Sequence, residues 1–373
     1  MRRWAVLLFM FVLSSPLLGE YSLGLGETRF RLTETYVFEN RGSDSIPFSE
    51  TDWAVSLFQN NSWQTVRVIE ANPPIERLLN DSDGNLYAVL AAPDSLEGKT
   101  NLTITVVYEI TSISYSGPGL DRNVAQNLSQ IPRNLTSEYC ASGGTWLTGD
   151  PKIREKAWEL AGNSTKVLTI VEAFITWIRG NINYSSGDLP RYPNETLAER
   201  RGDCDDQSIL LITMCRILGI PAYLQVGCVL REEIKADESV WSGHLRIQED
   251  GVGWHGWSVV YIPPWGWLPV DMTWVTGTSG LVPAIEHAGI YEDYIVLQLD
   301  VSDYDYVGEG RRFREEVINS TLYISLEDRM VQLPILTPPI PWIVIIPVLV
   351  GSFLILVFLY ARRMRIQRQS FYF

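Results

Sequence analysis

Cysteine is scarce: four residues in 373, with no C-x-x-C pair, which excludes a disulfide-dense scaffold and a zinc ribbon built on such pairs. Histidine is scarcer still, at three. Positive charge is in deficit, because 30 Lys plus Arg against 44 Asp plus Glu leave a formal charge of −14. Such a chain repels a polyanion, which argues against nucleic acid as a partner. What remains is ordinary globular material, 46% hydrophobic and 20% charged, enough for more than one domain at about 150 residues each. Thirteen Trp and 17 Tyr point to a large rigid core or an aromatic-lined surface.

Apolar runs of the length and flanking charge that suit a membrane or a signal stand at the two ends. Arg2 and Arg3 precede the run Trp4 to Leu13, and Ser14, Ser15 and Pro16 follow, the order of a secretory signal. Residues 1–19 are therefore expected to be a signal peptide or N-terminal anchor, with Gly19 as a cleavage point and Leu17 fitting it poorly. Residues 342–360 carry no charge, and at 1.5 Å per residue they reach about 28 Å, close to the thickness of a hydrocarbon core. Trp342 and Tyr360 mark the two interfaces, and Arg362, Arg363, Arg365 and Arg368 place the tail, 361–373, in the cytoplasm. The bulk of the chain is then outside the cell, on a single-pass anchor in the lipid bilayer, with a stiff Pro-rich stem at 333–341.

Glycosylation acceptors offer an independent check. Asn-x-Ser/Thr occurs at Asn60, Asn80, Asn101, Asn127, Asn134, Asn163, Asn183, Asn194 and Asn319. Chance would supply roughly two among 15 asparagines. All nine fall in the segment expected outside.

Between the ends the hydrophobic period changes once. Residues 20–116 read as short strands: Thr28 to Phe38 alternates, Trp53 to Phe58 and Trp63 to Ile69 are short apolar stretches, and Asn101 to Ile110 is rich in Thr, Val and Ile. Turn signals separate them, which predicts an all-β sandwich domain. The run Asp81 to Asn85 looks like a calcium loop, but Ala92 stands where the bidentate Glu belongs, so a plain turn is expected. Ser116-Gly117-Pro118-Gly119 then links to a second region, 117–332, that runs α before β. Asp150 caps a helix with Pro151 at its first position and Gly162 at its end; Ser164 is expected to cap the next helix and Gly180 to stop it.

Gly202-Asp203-Cys204-Asp205-Asp206 opens a long apolar run that ends at Gly219-Ile220-Pro221. Asp203 is a natural N-cap, Asp206 a capping-box acid, and Gly219 a natural C′ residue, so Cys204 is the first residue of a helix that is apolar on nearly every side. A helix start favours a thiolate. Three neighbouring carboxylates oppose it. A base is also required, and His255 offers one: His255, Trp257, Val259 and Tyr261 share one face of a strand, Pro263-Pro264-Trp265-Gly266 turns the chain, and Trp267 to Thr273 returns beside it. His255 and Asp271 then lie on neighbouring strands, the nucleophile, base and orienter arrangement of cysteine acyl transfer. The bland alternative is a strand-end His and a turn Asp.

Four motifs stand in one order: Arg201-Gly202-Asp203-Cys204, the Arg216-Ile217-Leu218-Gly219-Ile220-Pro221-Ala222 helix exit, His255-Gly256-Trp257, and Gly266-Trp267-Leu268-Pro269-Val270-Asp271. Together they resemble the transglutaminase-like superfamily, whose core is papain-like, over roughly Ile131 to Leu299. The strand-rich segment before it is similar, more weakly, to the sandwich domain of membrane-anchored prokaryotic, especially archaeal, members. The fold expected is thus α+β, a papain-like core preceded by a sandwich and followed by one transmembrane helix. The resemblance implies Cys204 as nucleophile, His255 as general base and acid, and Asp271 as the group orienting the imidazole. Three residues depart from the family: Val259 stands where many relatives carry Glu, and Gln207-Ser208 where small apolar residues are common.

The expected activity is attack on an amide of a protein or peptide substrate of the cell envelope, resolved by water or an amine, with no cofactor and no metal site. The Cys204 N–H would help form an oxyanion hole, with Trp177 and Tyr184 upstream as candidates for a side-chain donor; Trp254, Trp257, Trp265 and Trp267 are candidates to line the substrate groove. Cys140, Cys215 and Cys228 read as structural, with one disulfide allowed and unpaired by sequence, and His244 is the fallback base. His287 reads as a surface residue. A non-catalytic surface binding protein that keeps the fold as scaffold is the alternative.

Overall fold

The computed structural model of the protein describes residues 27–116, 119–274, 290–291 and 294–334. The expected signal at 1–19, the 342–360 span, the basic tail, nearly all of the stem and His287 lie outside the described residues, among which no helix is long and apolar enough to cross a membrane.

Alternating burial makes β1, Glu27–Asn40, a long strand with Phe30 and Leu32 turned inward. Five more strands follow: β2 (Ala54–Ser56), β3 (Gln64–Asn72), β4 (Ile75–Asn80), β5 (Leu86–Leu90) and β6 (Asn101–Ile113). β1 pairs antiparallel with β6, and β6 with β3; β2, β5 and β4 form a separate three-stranded sheet. The two layers bury Phe30, Leu32, Val55, Ala88, Leu90, Ile104, Val106 and Tyr108 between them. The two sheets pack face to face, but the larger one is not confined to the N-terminal segment and belongs to a curled sheet shared with the rest of the fold.

The helical region follows as α1 (Arg133–Tyr139), α2 (Pro151–Ala161) and α3 (Val167–Asn181). Asp150 caps α2 by accepting the N–H groups of Lys152 and Ile153, and Gly162 leaves it at φ +54°. In α3 the cap position is Lys166 rather than Ser164, because Lys166 forms a β-bridge with Asn127 that keeps it extended, and the helix runs through Gly180 to Asn181. A short parallel pair, β7 (Asn183–Tyr184) and β8 (Arg201–Gly202), encloses α4 (Pro193–Glu199) and delivers the chain to α5, Cys204–Ile217. After α5 come β9 (Ala222–Val240), β10 (Leu245–Ile262), β11 (Gly266–Val270), β12 (Ile295–Val301), α6 (Tyr306–Ile318) and β13 (Leu322–Leu333).

β13 is what joins the halves. It pairs antiparallel with β1 along its length and parallel with β10, giving one curled sheet in the order β12-β9-β10-β13-β1-β6-β3, with β11 paired to β10 on the same side as β13, further along the strand. Within β9, Ala222 and Leu224 pack against the helices, while Cys228 and Leu230, in the same alternation, pack beneath the three-stranded sheet. One face of the curled sheet thus carries the helical layer at one end and the small sheet at the other. Sequence distance hides this, because the strand that bridges the two regions lies after both of them.

α5 runs through the middle of the helical layer, buried from Asp206 to Arg216 as its all-round apolarity requires. Its exit is a Schellman turn: Gly219 adopts φ +74°, its N–H bonds to Arg216, and the Ile220 N–H bonds to Cys215. Arg216, buried beneath the Trp146 ring, donates from Nε to the Ala222 carbonyl at 2.8 Å and so ties the helix exit to β9. The Asp81 to Asn85 segment is a turn whose acids are occupied by backbone: Asp81 accepts the Asp83 and Asn85 N–H groups, and Asp83 those of Ser302, Asp303 and Tyr304. Phe174 of α3 is fully buried in the layer that supports α5. Phe174→Ala should cost about 3–5 kcal/mol, read from urea unfolding of purified protein.

Candidate active site

The site is built where the start of α5 meets the middle of β10. Asp203 precedes the helix in extended conformation, and Cys204 is its first residue, partly exposed. Asp206, with no exposed surface, accepts the Arg191 N–H and the Arg191 guanidinium, each at 2.6 Å, and reaches back to the Asp203 N–H at 3.2 Å. That return bond is half of the expected capping box; the Asp206 N–H itself goes to Asp205 Oδ1. Arg191 answers much of the electrostatic objection to a thiol beside three acids, because it neutralises the most buried of them. Burial, with the charge of Asp203, pushes Asp206 up to about 6, and burial with the neighbouring Asp205 pushes Asp203 up to about 7. The cluster therefore carries less than three full charges at neutral pH.

β10 and β11 form the expected hairpin, with Ile262 opposite Gly266 and Ser258 opposite Val270. Asp271 follows β11 directly, which sets it diagonally across from His255, and the two side chains meet at 2.7 Å between Nε2 and Oδ2. The other carboxylate oxygen of Asp271 accepts the N–H groups of Thr273 and Trp274, both at 3.0 Å, so the turn after β11 fixes the acid before the imidazole arrives. His255 is 6% exposed, stacked at 5.7 Å on Trp257 and flanked by Trp274. The Cys204 side chain lies near enough to the imidazole to favour its charged form, after Asp271. With Nε2 committed to Asp271, the nitrogen left for sulfur is Nδ1. Cys204, His255 and Asp271 are thus brought together.

Small residues make that approach possible. A Cβ on residue 256 would lie 2.9 Å from the Asp205 Cβ, so only glycine lets the strand pass this close to the helix start. Across the contact Ser258 donates from β10 to the Ser208 carbonyl at 3.2 Å, while within the helix Ser208 donates back to the Cys204 carbonyl at 2.8 Å. Gln207 donates to the Gly202 carbonyl at 3.0 Å. The polar pair Gln207-Ser208, a departure from the family pattern, therefore holds the cysteine turn in place.

Around this centre the other expected residues divide. Tyr184 is 61% exposed on β7, paired with Gly202, and close enough to Cys204 and Asp203 that burial and their charges push its phenol up to about 12. Trp257 is buried beside His255, donating from Nε1 to Gln225 at 2.9 Å. Trp177 instead lies beneath Arg200 and Lys156, and Trp265 packs on the helical core. Trp254 leaves the site altogether, because it alternates with His255 along β10 and donates to Asp328 at 2.8 Å. Trp267 packs against Tyr139, Tyr223 and Tyr261. His244 bonds the Leu322 carbonyl at 2.8 Å and stacks on Tyr323, which occupies it elsewhere. Cys140, Cys204, Cys215 and Cys228 are all free thiols.

Sequence reasoning did not find Arg191, Trp274 or Tyr306, whose hydroxyl donates to Asp205 at 3.0 Å. Each comes from a segment with no motif of its own. The Asp203, Asp205 and Asp206 oxygens lie within 4.8 Å of one another, a spacing that metal ligands share. Here Asp206 is held by Arg191 and Asp205 by Tyr306 and the helix N–H, so the group acts as a helix cap.

Burial by itself would lower the pKa of His255, but the Asp271 carboxylate, with Cys204 adding to it, pushes the pKa up to about 10. Burial would raise Asp271; the imidazolium and the two turn N–H groups hold it below its ordinary range. The proton is therefore kept on the ring at neutral pH, the condition for an imidazolium facing sulfur. Since the folded pKa of His255 exceeds its unfolded value of 6.5, the pair stabilises the fold fully below about pH 6.5, and the contribution is lost as pH rises towards 10. Asp271→Asn should accordingly lower unfolding free energy by about 2 kcal/mol at pH 6, the worth of a charged hydrogen bond, and by far less at pH 10. Urea titrations at the two pH values check this; an equal loss at both would mean that the bond is not ionic.

The family model described as the transglutaminase-like superfamily matches residues 154–272. Among solved structures, a protein of Cytophaga hutchinsonii provisionally named a cysteine protease shares 15% identity, with 84% of this chain and 93% of that one covered at a TM-score of 0.51. The periplasmic domain of TgpA from Pseudomonas aeruginosa shares 14% identity over 71% and 93% at 0.33, and red sea bream transglutaminase 11% over 79% and 63% at 0.31. A comparison with curated proteins gives no significant match. The matched segment spans the helix that begins at Cys204 and the hairpin that carries His255 and Asp271, and residues 154–272 are accordingly a domain of the transglutaminase-like superfamily.

Proposed function

We propose that this protein is a membrane-anchored, outward-facing enzyme that cleaves or transfers amide acyl groups through Cys204, His255 and Asp271. The observation that carries the reading is the single imidazole placed between a partly exposed thiol at a helix start and a carboxylate already fixed by its own turn. In the first half-reaction the Cys204 sulfur attacks the substrate carbonyl carbon, and the charge that develops on oxygen faces the helix N-terminus, whose first N–H groups have no acceptor within the helix. As the tetrahedral intermediate collapses, the C–N bond breaks and the proton on His255 Nδ1 passes to the departing amine, which leaves a thioester. In the second half-reaction neutral His255 takes a proton from water or an amine, the new C–O or C–N bond forms, the C–S bond breaks, and Cys204 leaves as a thiolate facing the re-formed imidazolium. Asp271 holds the ring in one tautomer throughout.

Hydrolysis is the favoured outcome, because an open thioester meets water at far higher concentration than any amine. The outward placement rests on the apolar run at 342–360 with its basic flank, and it gains support from the nine acceptor asparagines, every one of which is exposed. The substrate class proposed is protein or peptide of the cell envelope.

Iodoacetamide at neutral pH should label Cys204 about 100-fold faster than Cys215, whose buried thiol is pushed well above its ordinary range by desolvation. Equal, slow labelling read by peptide mass spectrometry would remove the nucleophile. Cys204→Ala and His255→Ala should each reduce turnover of a peptide panel by roughly 10³-fold or more. Incorporation of a dansylated amine, compared with new amino termini or released ammonia, separates transfer from hydrolysis; neither product in the wild type would leave the fold as a scaffold.

A further inference from the structure

A cavity of about 480 Å³ opens where the curled sheet, the three-stranded sheet and α6 converge, a volume typical of small-molecule sites. Six aromatic residues line it: Tyr36 and Phe38 from β1, Trp53 ahead of β2, Trp241 ahead of β10, Trp254 on β10 and Phe313 on α6. No lysine, arginine or histidine lines it. Trp254 and Phe313 are 36% and 46% exposed at its mouth, and Trp241 meets Phe313 edge to face at 5.9 Å.

Behind these rings lie acids with no basic partner among the described residues. Glu34 alternates with Tyr36 and Phe38 on β1, stands opposite Asp328 on β13, and Asp328 in turn stands beside Glu249 on β10. Glu34 has no exposed surface; one of its oxygens accepts the hydroxyls of Tyr36 and Tyr108, at 3.3 Å and 3.2 Å, while Oε1 has no hydrogen-bond partner. The Trp254 indole donates to Asp328, which is 6% exposed. Two lining aromatics, Tyr36 and Trp254, thus direct their polar ends onto buried acids. A buried carboxylate row with no cation is costly, and an unpartnered oxygen adds to that cost.

We propose that this cavity binds a small organic cation, its ammonium head set against the aromatic faces with Glu34 and Asp328 behind them as counter-charge, and its alkyl body resting on Ile324 and Leu326. Rings alone attract ammonium groups, and a buried carboxylate behind them strengthens the field. Burial, with the charge of Asp328, pushes Glu34 up to about 8, and burial pushes Asp328 up to about 6, as acids lacking a counter-ion behave. The cavity is separate from the cysteine centre, because Trp254 and His255 are successive residues of one strand and point to its opposite faces.

Full-length protein in a non-ionic detergent, titrated with choline and with its uncharged isostere 3,3-dimethylbutan-1-ol, tests the proposal through tryptophan fluorescence and calorimetry. Choline should bind saturably and about tenfold more tightly than the isostere. Asp328→Asn, and Phe313→Ala at the exposed rim where folding is not at risk, should each weaken choline by about fivefold with the far-ultraviolet circular dichroism unchanged. Equal affinity for the two probes, absence of saturable binding, or unchanged choline affinity in both folded variants would overturn it.

Discussion

The close contact of the α5 start with the middle of β10 is the constraint on which the site depends. An imidazole and a thiol carried on different elements meet only if the backbones that hold them come together, and Gly256 against Asp205 is where they do. The contact is secured by the Ser258 hydroxyl, which donates to the Ser208 carbonyl within the interface, and the helix start is held at its edge by the Arg191 to Asp206 pair. The same contact answers how a cysteine can sit among acids: the acids are engaged in capping and pairing, while His255, held charged by Asp271, faces the sulfur.

The sheet gives this contact its rigidity. β10 is bonded to β9 on one side and, at different heights, to β11 and β13 on the other, so His255 stands on a strand that cannot shift without disturbing several ladders. β13 carries the sheet onward to β1, and the N-terminal strands become an extension of the platform that holds the site. Alternation along β10 then directs successive residues to opposite faces, with His255 in the site and Trp254 in the aromatic cavity.

Much of this was legible from residue order. The helix start at Cys204, the Schellman exit at Gly219, the α2 boundaries and the hairpin bearing His255 and Asp271 each follow from local signals, a cap, a glycine or an alternating run, which act over a few residues. Where local signals competed, long-range pairing prevailed: Ser164 yields the cap to Lys166 because Lys166 bonds to Asn127. The tryptophans show the same limit. Trp254, Trp257, Trp265 and Trp267 look equivalent in sequence, yet only Trp257 lies beside His255.

By itself the sequence determined where most elements begin and end, which strand face is apolar, and that the sulfur and the carboxylate stand at element boundaries while the imidazole stands within a strand. These are properties of short stretches, set by dihedral preference and hydrophobic period. Only the tertiary structure decided that a strand from the far end of the chain unites the two regions, that Arg191 tempers the acids beside Cys204, and that Glu34 and Asp328 lie together behind an aromatic cavity. Those pairings join residues up to several hundred positions apart, and they are settled by strand register and burial across the whole sheet, which no local pattern encodes.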